Sequence, residues 1–217
     1  MKRITIVFIL ALLLTAEVFA QNGVIREIFG TVEIKRTGAA AFTAARTGDI
    51  IAKDTIVSTG LKSTALIAIG SAVLTVRPLT RLSLAEISSS AGTETINVNL
   101  QTGRVRVDVT PPPETRTTTT VQSPAATASV RGTSFEFDTQ SITVLEGTVA
   151  FQGTNGSAVL VGGGGSSEVT ANGRAADPIN TSTVELMPPP YAGSDTGYQN
   201  SVIIDVRGEF TITMILH

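Results

Sequence analysis

Cysteine and tryptophan are absent from this 217-residue chain, and its one histidine is the last residue, His217. Without cysteine there is no disulfide framework, no thiolate zinc site and no cysteine nucleophile. A Ser-His-Asp triad, a histidine base or a histidine metal ligand would have to rest on a chain end, where preorganisation is poor. Aromatic residues make up 5% of the chain and charged residues 16%. The 16 Lys+Arg nearly balance 18 Asp+Glu, net −2, so there is no basic footprint for nucleic acid. What the chain does have is threonine, 32 residues of it, which with valine and isoleucine favours strands over helices. Composition therefore predicts an all-β protein poorly equipped for catalysis. No cofactor is expected and no metal: a calcium site is conceivable at Asp49 and Asp54, but the oxygen ligands do not cluster as a calcium loop requires.

The first 20 residues read as a targeting segment. Met1-Lys2-Arg3 is basic, Ile4 to Thr15 is almost wholly apolar, and Val18-Phe19-Ala20 ends on a small residue. That order predicts an N-terminal signal helix cleaved after Ala20. Its apolar core is about 11 residues, against roughly 20 for a membrane span, which favours cleavage over a retained anchor. Removing residues 1–20 takes away Lys2, Arg3 and Glu17 and leaves 14 basic and 17 acidic residues. The expectation is an exported protein of the bacterial periplasm or cell envelope, with no stable membrane span after cleavage.

Strand-like alternation dominates the remainder of the chain. Gly30-Thr31-Val32-Glu33-Ile34 places Val32 and Ile34 on one face. The same phrase returns at Gly103-Arg104-Val105-Arg106-Val107 and Gly147-Thr148-Val149-Ala150-Phe151, and more loosely from Gly208. Each reads as one structural step, a turn feeding a core strand. Further strands are predicted at 55–59, 65–69, 72–76, 79–84, 96–100, 134–137, 141–145 and 158–161. Gly70-Ser71 is a two-residue hairpin signal. Thr110 to Thr120, with three prolines and four consecutive threonines, predicts an exposed loop. The organisation expected is a signal peptide over 1–20, a β domain over 21–174, a Pro/Gly-rich linker over 175–199 and a C-terminal β-hairpin over 200–217. A lone hairpin is only marginally stable, so it should dock on the body or on a partner.

Taken in order, several of these segments resemble a known family. Gly48-Asp49-Ile50-Ile51-Ala52-Lys53-Asp54 to Gly60, then Gly70-Ser71 and Gly103-Arg104-Val105, are similar to the opening, hairpin and central strand of the FecR domain. The most specific piece is Ser123-Pro124 through Val130-Arg131-Gly132-Thr133-Ser134-Phe135, which is similar to the family's Thr-Pro…Val-Arg-Gly-Thr-x-Phe motif. Val144 to Val149, around Gly147, comes next. The resemblance spans about residues 30–151. Lys53 and Ile69 depart from the family's usual Gly and Asp at those positions. It implies short strands stacked in a β-helix-like or flattened-sandwich domain, with a conventional β-sandwich as the alternative. It also implies a free-standing exported FecR-like domain, without the family's anti-sigma segment.

The candidate residues divide into architecture and chemistry. Pro124 holds Ser123 extended, and Arg131-Gly132 turns the chain before Phe135 and Phe137 enter the core. Arg131 could grip a carboxylate or phosphate. Pairing with Asp49, Asp54 or Glu146 is favoured over that. Glu136 and Asp138 share one strand face, where solvation outweighs a role as acid-base carboxylates. Gly48-Asp49 and Asp54 read as turn formers. The predicted function is non-enzymatic: an envelope binding or scaffolding module for a protein or a cell-wall glycan. The alternative is a periplasmic sensor subunit in FecR-type signal transduction.

Overall fold

The computed structural model describes residues 22–90 and 92–180, together with the backbone of 203–204 and 210–211. The predicted signal helix and most of the predicted linker and hairpin lie outside the described residues.

Eighteen strands build the body. They begin with β1 (Gly23–Phe29), β2 (Val32–Lys35), β3 (Thr43–Ala44), β4 (Ile50–Ile51), β5 (Ile56–Thr59) and β6 (Thr64–Ile69). Next come β7 (Ala72–Val76), β8 (Arg81–Ser90), β9 (Thr93–Thr102), β10 (Arg104–Val109), β11 (Arg116–Gln122) and β12 (Ala126–Val130). The last six are β13 (Ser134–Asp138), β14 (Ser141–Glu146), β15 (Thr148–Gly153), β16 (Val159–Gly162), β17 (Gly165–Glu168) and β18 (Ile179–Asn180). Beyond them, β19 (Ile203–Ile204) and β20 (Phe210–Thr211) pair antiparallel in a separate two-stranded ladder.

The body is all-β, in two nine-stranded sheets. One runs β18-β17-β14-β13-β10-β7-β6-β1-β4 and the other β16-β15-β12-β11-β9-β8-β5-β2-β3. Spatial order thus tracks chain order almost throughout, because the chain makes a step in one sheet and crosses to the other. Neighbours are antiparallel except β9 and β11, which pair in parallel from Thr93↔Arg116 to Asn99↔Gln122. A β-helix stacks parallel coils; here each move within a sheet is a hairpin, so the chain advances like a coil while nearly all neighbours run antiparallel. The ladder of the first sheet continues to Ile179–Asn180, inside the stretch where the sequence predicts the linker to begin.

Period-two patterning explains the layering. β6 and β7 bury Ala65, Ile67 and Ile69, and Ala72, Leu74 and Val76, while alternate residues turn outward. The inward residues of both sheets join one apolar core, filled mostly by Val, Ile and Leu with Phe135, Phe137 and Phe151 as its large aromatic side chains. Burial of so much aliphatic surface is the main stabilising term, at roughly 25 cal/mol per Å².

One expectation is overturned. The threonine run is not an exposed loop: Arg116–Gln122 is β11, an interior strand laddered on both sides. Thr117 and Thr119 point into the core at 2% and 0% exposure. Threonine's branched Cβ suits an extended backbone, and that preference outweighs the polarity of the run. Thr117 satisfies its hydroxyl on Glu94, whereas the Thr119 hydroxyl has no hydrogen-bond partner.

Crossings between the sheets are fastened by hydroxyl groups. Ser63 Oγ accepts the Thr31 N–H at 2.9 Å. Thr59 Oγ1 donates to Arg77 O at 2.6 Å and accepts from Thr80 N at 3.0 Å. Thr80 Oγ1 in turn accepts from Arg104 N at 2.9 Å. Each corner is therefore tied to the next along one rim, and the buried backbone groups there find partners. At the other end of β9, the nearly buried Glu94 carboxylate takes the Ser71 N–H and the Ser71 and Thr117 hydroxyls. That clasp joins the β6–β7 hairpin of one sheet to two strands of the other. Glu94 packs so closely on Gly70 that a Cβ there would lie 1.7 Å from its Oε1.

Candidate functional site

The residues of the Gly-Asp, Gly-Ser and Val-Arg-Gly-Thr segments prove to sit at turns and corners. Gly48 turns the chain into β4 with φ +90, and Asp49 accepts from Arg46 N at 2.8 Å and Arg36 Nη2 at 3.2 Å. Asp54 takes the left-handed region at φ 61 and donates its N–H to Leu84 O at 2.6 Å. Gly70-Ser71 forms the hairpin held by Glu94. Gly103 lies against Thr80 at the β9–β10 crossing. Ser123-Pro124 closes the β11–β12 hairpin, where Ser123 Oγ accepts from Ala126 N at 2.9 Å and donates to Thr139 O at 2.7 Å in the opposite sheet.

Val130 to Phe135 form one corner. Val130 and Phe135 are buried on either side of it. Gly132 packs on Pro111, and Thr133 O accepts from Val109 N at 2.9 Å. The Thr133 methyl fills the space above Gly147. Arg131 departs from the expected internal pairing. It is exposed, with no hydrogen bond or ion pair among the described residues, and Asp49 is occupied by Arg36 instead. The chain alternation that buries Val130 turns Arg131 outward, beyond reach of an internal acid.

The site with most chemistry lies on the outer face of the first sheet. β7, β10 and β13 adjoin there, and the register sets Arg104 opposite Asp138 and Arg106 opposite Glu136. Arg77, just past β7, donates Nε and Nη2 to Glu136 Oε1, the former at 3.1 Å. Arg104 Nη2 lies 3.4 Å from Asp138. Arg106 grips Asp108 through Nε and Nη2 at 3.0–3.1 Å, and Ser134 Oγ also bonds that carboxylate. Three arginines thus meet three carboxylates. Beside them lies a shallow depression of about 480 Å³ lined by Arg77, Pro78, Leu79, Gly103, Arg104, Glu136 and Asp138.

The electrostatics derive from these contacts. Burial alone would raise the Asp138 carboxyl, but bonds from the Gln140 and Ser141 N–H groups and the Ser141 hydroxyl, with the Arg104 charge, hold it below the usual range. Asp108 is likewise pushed up by burial and brought down further by Arg106 and Ser134, ending low. The Arg106 guanidinium is raised by its bonds to Asp108. Glu136 and Asp138 are therefore spoken for by cations from neighbouring strands, a neutralised network rather than a free acid and base. Each such half-exposed pair contributes roughly 0.2–1 kcal/mol.

These contacts make stability depend on pH. A carboxyl lowered by folding stabilises the protein above its unfolded pKa and loses that contribution as pH falls through its folded value. Denaturant titrations from about pH 5 down to about pH 2 are expected to show falling stability in the parent. Asp138→Asn is expected to be weaker near neutrality and flatter across that acid limb. Parallel acid limbs in the two proteins would rule out this role for Asp138.

The opposite outer face is chemically different. Ser83, Asn99, Gln101, Gln122 and Pro124 line a second shallow depression, of about 410 Å³, without an ionised side chain. Alternation in the sequence places Glu136 and Asp138 on one face, but the arginines that meet them and the whole second surface come from strands far apart in the chain. Strand register alone brings them together.

An all-β, two-sheet domain whose signature residues form its corners defines a class of architecture. Within it, residues 55–150 match the family model described as FecR protein, a stretch that runs from β5 into β15. Two crystal structures from Parabacteroides distasonis ATCC 8503, both described as a candidate anti-sigma factor, are similar at 14% identity, with TM-scores of 0.47 and 0.46. Each comparison covers 58% of this chain and 59% of the other. No curated protein matches the chain. Among the described residues, no helix is long and apolar enough to cross a membrane.

Proposed function

We propose that this chain is an exported sensor subunit of FecR-type signal transduction, acting by protein contact rather than by catalysis. The observation that carries the reading is the FecR match over residues 55–150, which takes in the Val130–Phe135 corner and the ion-paired face. The hydroxyl-tied corners make the body a rigid platform, suited to present a surface rather than to close around a substrate. Export to the periplasm or envelope is part of the proposal and rests on the basic, apolar and small-residue order of residues 1–20. The scaffolding reading, with a structural protein or cell-wall glycan as partner, has no comparable observation behind it.

Two measurements in the native host test the proposal together. Alkaline phosphatase, active only after export, is fused behind residue 180, and sigma-dependent transcription is monitored with and without the gene. Active fusion and a transcriptional response lost on deletion are expected. Restoration should require residues 1–20. A chain that is exported but whose deletion leaves sigma-dependent transcription unchanged under envelope stress would sink the sensor role.

A further inference from the structure

The two sheets of the body have four edge strands, β18, β4, β16 and β3. Three of them are two residues long, which is one way proteins blunt an edge against further pairing. β16 is the exception. Its four residues, Val159-Leu160-Val161-Gly162, carry neither charge nor proline and, among the described residues, are laddered on one side, to β15. Val161 is buried in the core, while Leu160 is 70% exposed on the outer face.

The chain supplies a strand of matching character. Among the described residues β19 and β20 are joined by two residue pairs, Ile203↔Thr211 and Ile204↔Phe210, and a lone two-stranded hairpin is marginal at best in water. Around β19 the sequence reads Ser201-Val202-Ile203-Ile204-Asp205-Val206, apolar at its centre. The body ends at β18, at the same end of the two sheets as β16. From Asn180 to Ile203 there are 22 intervening residues, a reach of roughly 75 Å when extended, while packed sheets lie only about 10 Å apart.

We propose that the C-terminal hairpin of the same chain docks on β16 as its next strand, with Ile204 beside Val161 over the core and Ile203 beside Leu160 outside. The inference stands independently of the sensor role. It closes the one edge long enough to template pairing with another chain, and it gives the marginal hairpin a third strand.

The lack of cysteine makes the test clean. Full-length protein carrying Leu160→Cys and Ile203→Cys is treated with a short bismaleimide. A reference protein carries Ile50→Cys and Ile203→Cys, since Ile50 is 55% exposed on β4 at the far end of the other sheet. Cross-linking within monomers is expected to be at least about tenfold faster for the Leu160 pair, as a docked strand raises the effective concentration. Equal rates would show a tail with no preferred seat and overturn the proposal. Products found only as cross-linked dimers would overturn it in favour of a second copy. Hydrogen exchange supplies an independent readout without cysteines. Ile204→Asp in the full chain is expected to speed exchange of the 159–162 amides at least about tenfold, with β6 and β7 unchanged. Unaltered protection of β16 would also overturn it.

Discussion

Gly103→Ala is expected to destabilise the protein by about 2–5 kcal/mol, lowering the melting temperature by roughly 4–20 °C for a domain of this size. Two costs add. Gly103 has φ +88, where a side chain costs about 1–2 kcal/mol. Its Cβ would also fall 2.5 Å from Thr80 Cα and 2.8 Å from Leu79 O, so backbone and not a flexible side chain must move. Forcing atoms into a packed corner costs about 1–3 kcal/mol more. The same movement strains Thr80, whose hydroxyl holds Arg104 N and whose N–H is held by Thr59. Gly38→Ala separates the two costs, because Gly38 has φ +78 with nothing within 4 Å of the added Cβ. That variant should lose only about 1 kcal/mol. Denaturant unfolding of both checks the argument, and equal losses would refute the steric part.

Phe137→Ala is expected to cost about 3–5 kcal/mol, the range for removing a large aromatic from a closed core. Phe137 on β13 is fully buried, and its ring meets Phe151 of β15 edge-on, with centroids 6.2 Å apart at 73°. The contact spans the two sheets, so the cavity would open between layers with little else of that bulk to refill it. In a double-mutant cycle with Phe151→Ala, the pair should show a coupling of about 0.5–1.5 kcal/mol beyond the lost area. Strict additivity would mean that the edge-on geometry contributes nothing.

How far the fold is legible in the residues depends on which force dominates each segment. β10 and β13 are legible because Val or Phe alternates with polar and charged residues, and β6 and β7 because two short apolar runs flank Gly70-Ser71. β1 is not, since a register shift between Ile25 and Glu27 breaks its alternation. β11 and β12 escape for another reason. Their inward positions are mostly threonine and alanine, so hydropathy carries little of the pattern that sheet pairing reveals. The Gly-x-apolar-x-apolar phrase is recognisable as one structural step: Gly30, Gly103 and Gly147 all have positive φ and all precede a change of sheet. Arg131 can be placed at a turn, but not its lack of a partner, which depends on the outward direction at the end of β12. The Arg77–Glu136 and Arg104–Asp138 pairs are not legible at all, because they depend on long-range register.

The agreement between strand order and chain order has a kinetic side. No ladder in the body joins strands more than five apart along the chain. For a polypeptide delivered N-terminus first, each new strand finds its neighbour already present or only a few steps behind. The loop-closure entropy lost at each step stays modest, which favours quick pairing over long searches. Such a body has a leading end and a growing tip, marked in the two sheets by β16 and β18.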